Sequence, residues 1–244
     1  MCQTSQAMWN ECKRVPATRR DLVSRRADAP TTENDLSLDD YLKTIRQCTI
    51  CRDDPIGRPL PHQPRPTLSV TRSATILVAG QAPGLRVHET GQSFNDRSGD
   101  RLREWMGVDR ETFYDASRIA IAAMGFCFPG YDKNGGDLPP RRECAPIWRD
   151  GLMAQMVSVR LVLCIGLYSQ RYHLGVLRQP SMTETVRNWR FILDRTEAKQ
   201  GRAVIPLPHP SWRNTGWLKR NPWFEEEVLP VLRARVADEL YNNE

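Results

Sequence analysis

Apolar positions gather into four short runs: Thr75 to Ala79, Arg118 to Ala123, Leu161 to Ile165 and Ala203 to Leu207. Each is too short for a helix and rich in Ile, Val and Leu, as expected of strands buried on both faces. Between the runs the spacing changes to three or four residues. Ser37 is placed to cap a helix ending at Gln47, with Leu38, Tyr41, Leu42 and Ile45 on one face. Ser98 to Gly107, Ala145 to Met156 and Thr183 to Leu193 predict further helices, and Asn221 followed by Pro222 starts a terminal one that Pro230 should kink or interrupt. Strands alternating with helices predict an α/β fold, a three-layer αβα sandwich around a short, mainly parallel four-stranded sheet. In such folds the site lies beyond the carboxyl ends of the strands, where residues 80–84, 124–130 and 209–214 fall. Five prolines make 55–66 an irregular loop, and 1–36, with no sustained periodicity, predicts a mobile tail ahead of a single domain spanning 37–244.

Composition narrows the function classes. At 244 residues and 40% hydrophobic the chain can bury a core, and no apolar run approaches the roughly 20 residues of a bilayer span. A soluble, cytoplasmic monomer with no membrane partner is expected. Net charge is +6, with residues 1–40 slightly acidic, so the folded part carries the basicity and a polyanionic partner suits it. Seven cysteines, an odd number, favour thiols or a metal site over a disulfide framework.

Three stretches can carry chemistry. Gly80-Gln81-Ala82-Pro83-Gly84 ends a buried strand in a turn whose glycines admit a ligand close to the backbone, although a plain strand-to-helix turn would read the same. It fits neither the dinucleotide fingerprint nor the phosphate loop. His209-Pro210-Ser211-Trp212-Arg213-Asn214 opens a segment to Trp223 that holds Arg213, Lys219, Arg220 and three tryptophans without an acidic residue. Positive charge interleaved with aromatics suits phosphate contact and base stacking. Trp217 and Trp223 are better read as core, Trp212 and Arg213 as DNA contacts. Cys48-x2-Cys51 with Cys127 and Cys144 can form a four-thiolate site for zinc or an iron-sulfur cluster, and spacing does not choose between them.

Taken in order, these stretches resemble the uracil-DNA glycosylase superfamily over roughly residues 38–240. GQAPG resembles its first motif, HPSWRN its second, and GQSF at 91–94 the segment that supplies an aromatic ring under the flipped base. The cysteine pattern is similar to the branch that holds a 4Fe-4S cluster, so the resemblance favours that cofactor and an iron-sulfur-stapled loop region. It implies a DNA repair glycosylase that flips uracil or a related deaminated base out of DNA and hydrolyses its N-glycosidic bond. Phe94 would stack on the base within a pocket formed by Gly80, Ala82, Pro83, Gly84 and Asn95. His209 would donate to uracil O2 as charge develops, Gln81 would position water, Ser211 would hold a phosphate, and Trp212, Arg213 and Asn214 would brace the DNA. At Ala82 the most active branch has a carboxylate, whereas the iron-sulfur branch also has alanine; the chain departs from that branch at Gln81, where the branch has a glutamate, and at Ala123, where it has a uracil-reading asparagine. Asn95, Asp96 and Glu89 are the polar residues nearby that could substitute. The alternative is a catalytically weak binding protein for uracil-containing or abasic DNA.

Overall fold

A computed structural model describes residues 37–241. The expected tail, 1–36, lies outside the described residues. Strands β1 (Ile76–Ala79), β2 (Ile119–Ile121), β3 (Leu161–Ile165) and β4 (Ala203–Leu207) form one sheet in the order β2-β1-β3-β4, with every pairing parallel. All four strands are buried throughout, which is why each reads as a continuous apolar run and not as an alternating one.

Helices cover both faces. In chain order they include α1 (Leu38–Arg46), α2 (Leu85–Thr90), α3 (Arg97–Met106), α4 (Cys144–Gln155), α5 (Gly166–Leu174), α6 (Met182–Arg187), α7 (Trp189–Gln200) and α8 (Leu229–Tyr241). Side chains of β1 alternate between two cores: Ile76 and Val78 pack with Leu102, Trp105, Phe113, Trp189 and Leu232, while Leu77 and Ala79 pack with Leu42, Ile45, Leu152 and Ile192. A sheet clad in this way is the expected sandwich. Among the described residues no helix is long and apolar enough to cross a membrane.

Several local expectations change. Ser37 does cap α1, accepting from Asp40 N at 3.2 Å, but the cap of α3 is Asp96, two residues before Ser98. Asp96 accepts from the backbone of both Ser98 and Gly99, which a carboxylate at the true N-cap does better than a hydroxyl one turn inside. The single helix expected over Thr183 to Leu193 is two, α6 and α7, separated at Asn188; a capping box between Ser181 and Glu184 starts the first. Pro230 sits in the first turn of α8, directly after a π-helical turn at Phe224–Val228. Proline offers no N–H to the carbonyl four residues back, and the widened turn accommodates that loss.

One charge is wholly internal. Arg149 of α4 is fully buried and donates to the carbonyls of Ala122 and Ala123 at 2.9 and 3.3 Å, just past β2. Its other terminal nitrogen meets His173 Nε2 at 2.9 Å. Arginine can only donate, so His173 accepts with an unprotonated Nε2, and burial beside Arg149 holds its pKa well below the usual value.

Candidate active site

The cleft begins where β1 and β2 end. Met124 N donates to Gly80 O and Gly125 N to Gln81 O, both at 3.0 Å, so the first motif and the MGFC segment are zipped together beyond the sheet. A Cβ at Gly80 would lie 3.5 Å from the tip of the Phe94 ring and 3.8 Å from the Ala123 methyl. Gly80, Phe94 and Ala123 are therefore brought together as expected, and the position of Ala123 presents only a methyl group. The Gln81 amide oxygen faces Gly166 at the start of α5, with 3.9 Å to where a Cβ would be. Pro83 is buried, and Gly84 is the N-cap of α2.

Phe94 is the only non-glycine residue with positive φ, +56°, among the described residues. Such a conformation is strained for a bulky side chain and persists only where the surroundings impose it. Three neighbours do so. Tyr114 Oη donates to Phe94 O at 2.9 Å, Arg103 donates to the same carbonyl at 3.2 Å, and Gly99 leaves room for it: a Cβ at Gly99 would stand 1.7 Å from that oxygen. The ring also meets Phe113 edge-on at 6.2 Å. The aromatic face is thus preset by backbone contacts. Asn95 is placed differently from expectation: its Nδ2 donates to Thr90 Oγ1 at 2.7 Å, and its Oδ1 is buried without a partner.

The second wall is the loop after β4. Ser211 N donates to His209 Nδ1 at 3.2 Å, and Asn214 Nδ2 donates to His209 O at 2.7 Å, so the loop closes on its own histidine. Burial lowers the His209 pKa, with Asp96 opposing the shift. A neutral imidazole that accepts at Nδ1 carries its proton on Nε2, which makes His209 an N–H donor. Arg101 of α3 clamps the loop, donating to Pro210 O at 3.3 Å and Ser211 O at 3.1 Å. Helix α3 thereby links the two walls, following Phe94 at one end and holding the His209 loop one turn on. Trp212 is 73% exposed, with the Arg213 guanidinium 5.9 Å from its ring, while Trp217 is buried and Trp223 packs edge-on against it. Asn214, expected at the DNA, is instead engaged with His209.

Sequence patterns did not single out Arg101, Arg103, Tyr114 or Asp137. Asp137 belongs to a turn that Gly135 and Gly136 announce, and its Oδ2 lies 3.8 Å from a Cβ position at Gly84.

The four expected cysteines lie within electrostatic reach of one another. Cys51, Cys127 and Cys144 are buried and Cys48 is partly so; all are free thiols. Burial pushes Cys51 and Cys127 up to about 12 and Cys144 well above the usual thiol range, and each of these three also interacts electrostatically with Cys48. The buried Glu143, paired with Arg141 at 2.9 Å, also hydrogen-bonds Cys51, so the thiols share their surroundings with an ion pair; four thiols there fit a group that requires thiolates and supplies compensating charge. Among the described residues no three ligand-type side chains converge at single-ion distance.

The chain is similar to the solution NMR structure of a "putative Uracil DNA glycosylase" from Methanosarcina acetivorans, with 15% sequence identity and a TM-score of 0.41 over 68% of this chain and 94% of that one. The family model for the uracil DNA glycosylase superfamily matches residues 69–233, from just before β1 into α8 and across both walls of the cleft, and the chain belongs to that superfamily.

Proposed function

We propose that this protein is a monofunctional DNA glycosylase that flips uracil, or a related deaminated base, out of DNA and hydrolyses its N-glycosidic bond to leave an abasic site. The observation that carries this reading is that one helix, α3, holds both Phe94, through Arg103 and Gly99, and the His209 loop, through Arg101. A flipped pyrimidine stacks on the Phe94 ring beside the first motif. Breaking C1′–N1 places negative charge on the base, and the His209 Nε2–H donates to it, strengthening as the charge grows. A neutral histidine suits this role, since it stabilises the anion without first giving up a proton to solvent. Gln81 orients water by hydrogen bonds, as an amide can donate and accept but is no base at neutral pH. Ser211 and Arg213 hold phosphates, and the exposed Trp212 fills the gap left by the base.

Cys48, Cys51, Cys127 and Cys144 would hold a 4Fe-4S cluster, with zinc as the other occupant of the same thiolates. Four free thiols within electrostatic reach of one another support a thiolate-bound group. It would tie Cys48 and Cys51, near the start of the domain, to the loop ends that flank the cleft.

The binding-only alternative draws on two bare methyls: Ala82 lacks the carboxylate of the most active branch, and Ala123 lacks the asparagine of the iron-sulfur branch. An alkaline cleavage assay on duplex and single-stranded oligonucleotides containing uracil, hypoxanthine or xanthine, with affinity measured in parallel, separates the two. Strand scission at the lesion supports the glycosylase; tight binding without scission selects the alternative.

A further inference from the structure

The largest side chain that the fold buries completely is a cation, Arg149 of α4. Its terminal nitrogens are spent on the carbonyls of Ala122 and Ala123 and on His173, and its Nε–H is buried without a partner. Among the described residues no carboxylate lies within ion-pair distance of it; the Tyr172 hydroxyl, whose ring is 5.8 Å from the guanidinium, donates to Asp150. Leu or Met would fill such a place with less loss of stability, so an unpaired charge there points to a role outside folding. The two carbonyls belong to the run that closes the cleft. Ala122 N donates to Val78 O at 3.1 Å and Met124 N to Gly80 O at 3.0 Å, so Ala123 is tied to β1 and the first motif through its neighbours, and to α4 through its own carbonyl. Its methyl faces the cleft beside Gly80 and Phe94. The guanidinium therefore stands one residue behind the wall that flanks a base stacked on Phe94.

We infer that Arg149 is a positioning residue for base release: it fixes Ala123 at the pocket wall and sets a permanent positive charge behind it, which favours a base departing as an anion. The inference rests on the glycosylase reading above. Position 123 carries no group that could donate to a base, so this wall acts through charge and not through a hydrogen bond. In the step, the C1′–N1 electron pair leaves with the base as its anion. Water adds to C1′ and loses a proton to solvent, and the base anion takes one up, so one water is added across the glycosidic bond. Arg149 forms no bond and gives up no proton; its attraction is greater for the anion than for the neutral base of the bound substrate. Burial lowers its pKa to about 10, which leaves it charged at neutral pH. Three hydrogen bonds fix the guanidinium in the interior, so nothing has to reorient as the charge appears. His173 accepts from Arg149 and stays neutral, so it adds no charge of its own.

The test is single-turnover excision of uracil and of 5-fluorouracil, a better leaving group, by wild type, Arg149→Met, Arg149→Lys and His173→Glu, with DNA affinity, thermal unfolding and bound iron and zinc measured on each. Arg149→Met keeps an unbranched apolar chain and removes the charge. It should slow uracil excision on the order of tenfold, as for a unit charge acting across a residue's width of protein interior, with DNA affinity unchanged. The slowing should be smaller for 5-fluorouracil, because a more acidic base needs less help to carry its charge, and Arg149→Lys should recover most of the rate. His173→Glu sets a carboxylate against the guanidinium and leaves its carbonyl bonds in place, so it should reproduce the base-dependent slowing even where Arg149→Met does not fold. Unchanged uracil excision by His173→Glu, equal slowing of the two bases, or a Lys variant no faster than Met overturns the inference. Slowing that tracks loss of bound metal would assign the charge to the Cys144 thiolate site and also overturns it. No excision by the wild type contradicts the glycosylase reading itself, a different failure from excision that ignores Arg149.

Discussion

Gly99→Ala isolates the preset aromatic face without touching any group proposed to contact DNA. The added methyl would stand 1.7 Å from Phe94 O and 2.6 Å from its carbonyl carbon, so the Phe94 peptide must move by more than an ångström. That movement breaks the hydrogen bonds from Tyr114 and Arg103 to Phe94 O. Losing one neutral and one charge-assisted bond costs roughly 2–4 kcal/mol. Alanine in place of glycine inside a helix returns about 1 kcal/mol, and relief of the positive φ returns a similar amount. A net destabilisation of roughly 0–2 kcal/mol follows, which lowers the melting temperature by a few degrees at most and leaves the protein folded. Excision should suffer far more, because the ring no longer lies over Gly80. Single-turnover excision, base flipping followed by 2-aminopurine fluorescence opposite the lesion, and thermal unfolding measure the three effects. Wild-type flipping and excision by a folded Gly99→Ala protein would refute the claim that Phe94 is held by its backbone for stacking.

Arg213→Ala should weaken binding to several DNA sequences alike and flatten the salt dependence by about one phosphate contact, whereas Trp212→Ala should harm lesion-containing complexes more than unmodified duplex; fluorescence anisotropy against salt concentration checks both. Protein purified anaerobically should be brown, with iron and sulfide by analysis and a broad visible absorption that Cys48→Ala weakens; zinc alone would replace the cluster in the account and keep the site. Stability should fall on acidification from pH 7 to 5, because His173 and His209 have lowered folded pKa values. Their unfolded forms take up protons below about 6.5, so stability is fully present above that value and lost as pH drops toward the folded pKa values, by at most about 1.4 kcal/mol per histidine per pH unit. Denaturant titrations at both pH values should show a smaller loss for His173→Gln.

The strands were legible to within a residue or two because each is buried on both faces and so reads as an unbroken apolar run. Caps were less so: Asp96 and Ser98 both suit a helix start, and only the backbone positions of Ser98 and Gly99 choose between them. Asn188 divides one expected helix because the Ser181–Glu184 box fixes where the first begins, and no periodicity marks where it stops. The two motifs were visible as local patterns, and the structure brings Gly80, Phe94 and Ala123 together as their order implies. Contacts between distant segments left no such trace. Gly99 beneath Phe94 O, Arg101 on the His209 loop and Asp137 against Gly84 depend on the packing of α3 and the Cys127 loop. Gln81 and His209 were nominated from sequence because each belongs to a short local motif.

The central claim is that His209 stabilises the departing base as a neutral donor, and single-turnover uracil excision by wild type and His209→Ala tests it most directly. The wild type should excise uracil, and the variant should do so about a hundredfold more slowly, as expected for loss of one donor to a developing anion, with affinity for uracil-containing DNA little changed. Equal rates for the two proteins, or binding without excision by the wild type, would contradict it.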